Sequence, residues 1–217
     1  MQRILNAADA AERPAPALLA VSKTQPAEAV AALAAAGQRA FGENYVQEAA
    51  AKREALAGTC PELQWHLIGH LQSNKAALAA EVFDWVQSVD RPSVVDALAR
   101  HRAAARAPLN VLIQVNVEGE SGKAGCRPDE LDALAARVAA QPRLALRGLM
   151  SIPVPHPAPE QRRPAFRRMR QLFDELAARH PGVDTLSMGM SDDFPVAIAE
   201  GATLVRIGTA LFGPRAG

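Results

Sequence analysis

Cysteine is scarce in this chain, which excludes two kinds of stabilising site. Cys60 and Cys126 are the only two cysteines among 217 residues. A disulfide framework needs several paired cysteines, and a structural zinc site needs closely spaced cysteine or histidine ligands. Neither pattern is present. Two isolated thiols suit the reducing cytoplasm, where we expect the protein to reside.

Long apolar runs and an excess of charge are absent as well. No stretch approaches the roughly 20 apolar residues of a membrane span. Residues 1–9 carry charge too early, and too short an apolar run, for a signal peptide. The net charge is +1 and no basic block contains interleaved aromatic residues, so the sequence gives no sign of a nucleic-acid surface. We therefore expect neither a membrane nor a nucleic-acid partner.

Short apolar runs alternate with helical patterns from end to end. This alternation predicts parallel β–α–β units, and eight such units in about 200 residues favour a closed (β/α)8 TIM barrel over an open doubly wound sheet. We expect one α/β domain spanning residues 1–217, in which residues 1–16 form a first helix and a lead-in. The predicted strands are 18–21, 40–42, 65–68, 85–88, 111–117, 146–150, 185–188 and 204–207. The predicted helices are 2–11, 26–36, 45–56, 73–80, 92–105, 129–140, 160–179 and 193–200.

Lys23 ends the first apolar run and directly precedes a segment that starts a helix. The C-terminal end of a buried parallel strand is where α/β folds bind ligands. A lysine partly withdrawn from water loses proton affinity, because burial disfavours the ammonium ion. The neutral amine can attack an aldehyde and hold it as a Schiff base. The alternative is that Lys23 is a solvated cation at a strand end.

The C-terminal quarter offers a site for an anion. Residues 187–193 lie at a strand-to-helix junction, where the small residues among them expose backbone N–H groups and the helix N-terminus adds a partial positive charge. Arg206 lies within the eighth predicted strand, and Gly208 and Thr209 follow its end. The loops after strands seven and eight are the usual phosphate site of a (β/α)8 barrel. Strands one and eight are neighbours in a closed barrel, so the pattern fits a small molecule with an aldehyde and a phosphate. Pyridoxal 5′-phosphate (PLP) and sugar phosphates both qualify.

The remaining motifs carry weaker signals. His66 and His70 lie four residues apart, but leucine occupies the glutamate position of the HExxH motif, so we expect no metal site and interpret both as polar residues at the barrel rim. Residues 119–123 lack the features of a phosphate-binding Walker loop. Asn44 either caps the following helix or reaches into the barrel mouth. The proline-rich residues 152–159 predict a long loop on the ligand face, with a passive spacer as the alternative.

Seven segments between residues 18 and 213 form a distinctive ordered set. They are Ala20-Val-Ser-Lys-Thr24, Phe41-Gly-Glu-Asn-Tyr-Val-Gln-Glu48, Trp65-His-Leu-Ile-Gly-His-Leu-Gln-Ser-Asn-Lys75, Ser88-Val-Asp-Arg91, Gly148-Leu-Met150, Leu186-Ser-Met-Gly-Met-Ser-Asp192 and Val205-Arg-Ile-Gly-Thr209. In order and spacing this set strongly resembles the YggS/PROSC family, the PLP-binding proteins credited with pyridoxal phosphate homeostasis.

The resemblance implies a fold and a set of cofactor contacts. The fold would be the fold-type III PLP-binding barrel of the alanine racemase N-terminal domain, without the C-terminal β domain of that enzyme. Lys23 would carry PLP covalently as a Schiff base. By analogy, Ser187 or Ser191, Gly189, Gly208 and Thr209 would hold the phosphate, Arg206 would face the pyridine nitrogen, and Asn44 and Met150 would line the ring.

An arginine at the pyridine nitrogen has a chemical consequence. A guanidinium can only donate hydrogen bonds, so the ring nitrogen stays unprotonated and the cofactor stabilises carbanions poorly. Racemisation also needs an acid or base on each face of the substrate carbon. Racemases supply a tyrosine for this from a second domain, which we do not expect in this chain because it ends at Gly217. Nothing in the sequence brings its single tyrosine, Tyr45, to that face.

We therefore expect a PLP carrier that buffers the cofactor or delivers it, with PLP-dependent apo-enzymes as candidate partners and with no catalytic residues. The alternatives are a weak PLP-dependent amino-acid racemase and a sugar-phosphate aldolase. A monomer is expected, with a dimer as the alternative. The sequence leaves open whether Lys75 or Lys123 holds a second, looser PLP.

Overall fold

The computed structural model describes residues 1–213, in which eight parallel strands close into a barrel. The strands follow one another around the barrel in chain order, and β1 pairs with β8 to complete the closure. They are β1 (Ala17–Val21), β2 (Ala40–Glu43), β3 (Gln64–Leu67), β4 (Trp85–Val89), β5 (Leu109–Gln114), β6 (Leu144–Met150), β7 (Thr185–Ser187) and β8 (Leu204–Ile207). The closed barrel predicted from the sequence is confirmed.

Helices alternate with the strands on the outside of the barrel. They are α1 (Gln2–Ala10), α2 (Ala27–Ala35), α3 (Val46–Leu56), α4 (Ala76–Val82), α5 (Pro92–His101), α6 (Leu131–Ala139), α7 (Arg163–Arg179), α8 (Phe194–Ala199) and α9 (Thr209–Phe212). Short 3₁₀ turns precede α4, α6 and α7. Within residues 1–213, no helix has the length and apolar character needed to cross a bilayer.

Most element boundaries differ from the prediction by one to four residues, and two of these differences have a clear local reason. The fifth strand ends at Gln114 rather than residue 117, because its pairing with β6 stops there and Val115 instead forms an isolated bridge with Cys126. The fifth helix ends at His101, because the buried Arg102 guanidinium caps carbonyl groups outside the helix. The four-residue α9 was not predicted, since so short a segment shows no periodicity.

The two faces of the barrel differ in polarity. Residues paired in register on parallel neighbours project to the same face. Phe41, Trp65 and Val86 project outwards into the apolar core beneath the helices. His66 and Arg206 project inwards, and both are buried. TIM barrels usually fill the interior with layers of branched apolar side chains, so polar groups here require an explanation from the site above them.

Gly148 allows β6 and β7 to approach closely. Its φ is +145°, a backbone conformation that residues other than glycine rarely adopt. A Cβ placed there would lie 1.9 Å from the carbonyl oxygen of Thr185. The register of β5 against β6 shifts just before this point. Glycine therefore maintains the pairing that leads into the β7 loop.

We predict that Gly148→Ala destabilises the barrel, because the methyl group collides with backbone that has no alternative position. The expected loss in the free energy of unfolding is about 3 kcal/mol, in the range of strained or overpacked sites. Chemical denaturation measures it. The control is Gly58→Ala, where a Cβ meets nothing within 4 Å. An unchanged midpoint for Gly148→Ala would contradict this account.

Candidate functional site

A cavity of about 520 Å³ opens at the carboxyl ends of the strands. Residues from seven of the eight strand ends or following loops line it, which is the usual arrangement of a ligand site in this fold. Lys23 follows β1, Asn44 follows β2, and Gly208 and Thr209 follow β8. The lining is completed by Val21, Gln25, Ile68, Gly69, His70, Gln114, Lys123, Ala124, Ile152, Met190, Ser191, Asp192, Arg206, Phe212 and Gly213.

The structure brings together six of the nine residues predicted to bind the cofactor. These six line the cavity: Lys23, Asn44, Ser191, Arg206, Gly208 and Thr209. The other three, Met150, Ser187 and Gly189, lie behind the lining. Each of these three residues contacts or lies next to residues that do line the cavity.

Ser187 supports Arg206 instead of facing the cavity. Its hydroxyl is fully buried and accepts a hydrogen bond from Arg206 Nη1 at 2.7 Å. The same hydroxyl donates to Gln87 Oε1 at 2.7 Å. Of the two serines predicted as alternative phosphate ligands, only Ser191 lines the cavity, and its contact with a phosphate stays a prediction.

Gly189 and Met150 also lie beneath the lining. Gly189 has a φ of +88°, and a Cβ there would lie 2.6 Å from the Cβ of Ala197. Its carbonyl oxygen accepts the backbone N–H of Arg206 at 3.0 Å, so it links the β7 loop to β8. Met150 is fully buried, and the lining near it comes from Gln114 and Ile152.

A buried ion pair holds the loop that follows β7. The Asp193 carboxylate accepts the backbone N–H of Met190 at 2.6 Å and the Arg162 guanidinium at 2.5 Å. Arg162 also donates to the carbonyl oxygen of His156 at 2.9 Å, in the proline-rich loop. The pair therefore fixes the backbone of residues 190–192, which line the edge of the cavity. Its members come from separate elements, and although Asp193 lies in the predicted anion segment 187–193, no sequence motif marked Arg162 as its partner.

A second buried network holds the backbone on both sides of Lys23. Lys52 Nζ donates to the carbonyl oxygen of Ser22 at 2.7 Å, and to the carboxylates of Glu43 and Glu48 at 2.7 Å each. Glu48 in turn accepts the backbone N–H of Thr24 at 2.6 Å. Lys52 therefore connects the residue before Lys23 directly, and the residue after it through Glu48.

This network holds a strained turn. Thr24 has a φ of +63°, which is costly for a β-branched residue. Glu43 is fully buried, and burial raises the pKa of its carboxyl group, while hydrogen bonds from Lys52 and Ser22 lower it. The three donors of the Lys52 ammonium are matched by three oxygen acceptors. The arrangement fixes the direction in which the backbone presents Lys23 to the cavity.

Arg206 provides a fixed cation at the inner side of the cavity. Its guanidinium is buried, and burial lowers its pKa to about 10, which leaves it charged at neutral pH. Nη1 donates to Ser187 and Nη2 donates to the carbonyl oxygen of Ser151 at 2.8 Å. A guanidinium carries five N–H donors, so the remaining ones can serve a ligand.

The rim of the cavity carries additional polar groups. His70 lies 3.7 Å from the Asp90 carboxylate, and Lys123 is ion-paired with Glu120. Both His70 and Lys123 line the cavity, whereas Lys75, in the turn before α4, is not in the lining. His66 does not lie at the rim as predicted. It points into the barrel from β3 and is buried there, where its ring stacks on Trp85 with the ring centroids 5.2 Å apart.

The described residues therefore form a site with three chemical features. It has an amine after β1, a fixed donor cation on β8, and hydroxyl and backbone groups of Ser191, Gly208 and Thr209 in the same lining. Space at Gly208 is tight, since a Cβ would lie 3.2 Å from the carbonyl oxygen of Val21. Such a site suits a small ligand with an aldehyde, an anionic group and an acceptor atom.

Comparison with known proteins gives a consistent result over nearly the whole chain. A family model described as "Alanine racemase, N-terminal domain" matches residues 2–216. The "Pyridoxal phosphate homeostasis protein" of Pseudomonas aeruginosa is 55% identical over 215 residues, covering 98% of this chain and 91% of that protein. The protein of the same name from Escherichia coli is 53% identical over 199 residues, covering 91% and 85%.

Solved structures divide into near and distant neighbours. PipY of Synechococcus elongatus, determined with PLP bound, is 40% identical with a TM-score of 0.85, covering 97% of this chain and 99% of that chain. Alanine racemase from Corynebacterium glutamicum is 20% identical with a TM-score of 0.65, and the match covers 96% of this chain and 58% of the racemase. The second similarity shows the fold alone.

We predict that Lys52→Met lowers the free energy of unfolding by about 3 kcal/mol or more, because it leaves the buried Glu43 carboxylate without its cation. Chemical denaturation gives the size of the loss, and backbone amide exchange at Ser22 and Thr24 tests its location. The control is Lys75→Met, a lysine outside the cavity, for which a change within about 0.5 kcal/mol is expected. Equal losses in the two variants would argue against a specific network.

Proposed function

The chain belongs to the alanine racemase N-terminal-domain family and, within it, to the pyridoxal phosphate homeostasis proteins, and from this premise we propose that it binds PLP and takes part in PLP homeostasis inside the cell. The observation that carries the proposal is the convergence of Lys23, Arg206 and the Ser191–Thr209 edge on one cavity. PipY, a neighbour of 40% identity, has been determined with PLP bound.

The residues present fit this cofactor. Lys23 would hold it covalently, and Ser191, Gly208 and Thr209 would hold the phosphate. Asn44 and Arg206 line the same cavity, where they would contact the ring. When bound, PLP supplies an aldehyde that a neutral lysine amine can hold as a reversible Schiff base.

The network around Lys23 supports its role as the covalent anchor. Lys52 and Glu48 fix the backbone at Ser22 and Thr24, so ligand binding would not have to order that turn. A preorganised anchor improves affinity, because the ordering cost is met during folding. The side chain of Lys23 then has to lose its proton and reach the ligand.

Arg206 supports binding without catalysis. Its guanidinium stays charged at neutral pH and has no acceptor site, so it can only donate to the acceptor nitrogen of a pyridine ring. That contact would keep the ring nitrogen unprotonated, and an unprotonated ring is a weak electron sink. A protein that stores a reactive aldehyde benefits from this property, because side reactions would consume the cofactor.

The structure does not favour the racemase alternative. A racemase needs an acid or base on both faces of the substrate carbon. Tyr45, the chain's single tyrosine, is 61% exposed at the start of α3 and lies outside the lining of the cavity. The curated relatives are named as homeostasis proteins. Buffering and delivery to apo-enzymes in the cytoplasm, by a monomer, form the finer part of this proposal.

We predict that the purified protein loaded with PLP absorbs visible light, and that borohydride removes the colour and fixes the cofactor on Lys23. Peptide mapping of the reduced protein identifies the modified residue. Lys23→Ala should lose this adduct and most of the long-wavelength absorbance, while Lys75→Ala keeps both.

Two outcomes would contradict this assignment. One is a wild-type protein without a reducible adduct, and the other is an adduct that maps to a different lysine. Residual labelling of Lys123 in Lys23→Ala, with Lys23 labelled in the wild type, would identify the rim lysine as the second, looser site. Robust turnover of D- or L-amino acids by the pure protein would overturn the carrier function.

A further inference from the structure

A line of four polar side chains crosses the inside of the barrel beneath the cavity. Arg206 on β8 donates to Ser187 on β7 at 2.7 Å, and Ser187 donates to Gln87 on β4 at 2.7 Å. Gln87 Nε2 lies 3.0 Å from Nδ1 of His66 on β3. We call these four residues the barrel relay. All four are at most 3% exposed, so solvent does not compete for their hydrogen bonds.

The hydrogen bonds of the barrel relay run in one direction. The Ser187 oxygen accepts from Arg206, so its single hydrogen is available to Gln87 Oε1. That contact directs the amide NH₂ group of Gln87 towards His66 Nδ1, which must then be an acceptor. His66 is therefore a neutral imidazole with its proton on Nε2. Burial, which lowers the pKa of His66 to about 3, favours the same neutral form.

Stability does not account for this arrangement. Buried polar networks contribute little compared with apolar packing of similar volume, and incomplete ones are costly. His66 Nε2 has no hydrogen-bond partner among residues 1–213, so one buried donor is left unsatisfied within the described chain. Apolar layers would fill the barrel at lower cost. The relay therefore requires a reason other than stability.

Only one member of the relay reaches the ligand cavity. Arg206 lines it, whereas Ser187, Gln87 and His66 do not. An arginine side chain has several rotatable bonds, and ordering it costs conformational entropy. Its two anchoring contacts are Ser187 Oγ and the carbonyl oxygen of Ser151. The first holds Arg206 firmly only if the Ser187 hydroxyl is itself held, which is what Gln87 and His66 do.

We propose that Gln87 and His66 are positioning residues for the cofactor, which act through Ser187 to hold Arg206 in the one orientation that donates to the ring nitrogen of PLP. The inference rests on the proposed function and deepens it by assigning a role to the interior of the barrel. The directional chain also polarises each hydrogen bond along it. Gln87 and His66 thereby affect the ring at a distance, without lining the cavity.

Two variants interrupt the relay with little change in shape. Gln87→Met keeps the length of the side chain and removes both polar contacts. His66→Phe keeps a ring that can stack on Trp85 and removes the acceptor at Nδ1. The matched control is Val86→Ala, the adjacent buried residue on β4 whose side chain projects to the outer face. It perturbs packing on the same strand without touching the relay.

The main measurement is the ¹⁵N resonance of PLP labelled at the ring nitrogen and bound to each protein. We expect this resonance to move in Gln87→Met and, in the same direction, in His66→Phe, and to stay at the wild-type position in Val86→Ala. PLP dissociation should be about five-fold faster in both relay variants, the effect of losing one typical net hydrogen bond. The double variant should be no worse than Gln87→Met alone, because the two residues act in series.

A second measurement needs no cofactor. In the apo-protein, arginine side-chain ¹⁵N spectra should show restricted Nη rotation for Arg206 in the wild type and in Val86→Ala, and faster rotation in both relay variants. If Gln87→Met fails to fold, His66→Phe is sufficient for the comparison. Relay variants that match Val86→Ala in ring-nitrogen resonance and Arg206 rotation would overturn the inference.

The outcomes separate this inference from the proposed function. A wild-type protein that forms no reducible adduct on Lys23 would refute the function, while the Arg206 rotation data would still test the relay in the apo-protein. A wild type that binds PLP at Lys23, together with relay variants indistinguishable from Val86→Ala, would refute the relay alone.

Discussion

The pairing of β1 with β8 is the contact on which the candidate site depends. Leu19 pairs with Arg206 and Ala20 pairs with Ile207, so the chain just beyond each strand emerges at the same edge of the barrel. Lys23 and Gly208 are 185 residues apart in sequence, yet both line one cavity. Without closure the amine and the Gly208–Thr209 edge would lie on opposite margins of an open sheet. Barrel closure therefore creates the site as well as the core.

Buried charge is concentrated behind the loops that border this cavity. Lys52 with Glu43 holds the turn at Lys23, Arg162 with Asp193 holds the β7 loop, and Arg206 is held from inside the barrel. Buried ion pairs are weak sources of net stability, because desolvation offsets much of the attraction. They do define backbone positions sharply, since each charge tolerates few alternative partners. A protein that holds a cofactor without transforming it benefits from such rigidity.

The comparison with racemases shows how one barrel fold can serve proteins with different functions. Alanine racemase shares the fold at 20% identity, whereas the proteins at 53% and 55% identity are named for homeostasis. A fold does not determine a function, which depends on the groups placed around the site. In this chain the polar interior of the barrel holds Arg206, and the single tyrosine lies away from the cavity. Both features agree with a role in holding PLP.

The sequence by itself determined the order of the strands, the closed barrel and the strand ends that carry Lys23, Arg206 and Thr209. These follow from local periodicity and from the rule that parallel strands end at a common ligand edge. Only the tertiary structure decided that Ser187 supports Arg206 while Ser191 lines the cavity, and that His66 lies inside the barrel. It alone revealed Lys52 and Asp193 as the residues that hold the bordering loops. Ser187 and Gln87 are 100 residues apart, and such contacts depend on which strands face each other across the barrel, for which a single sequence contains no local signal.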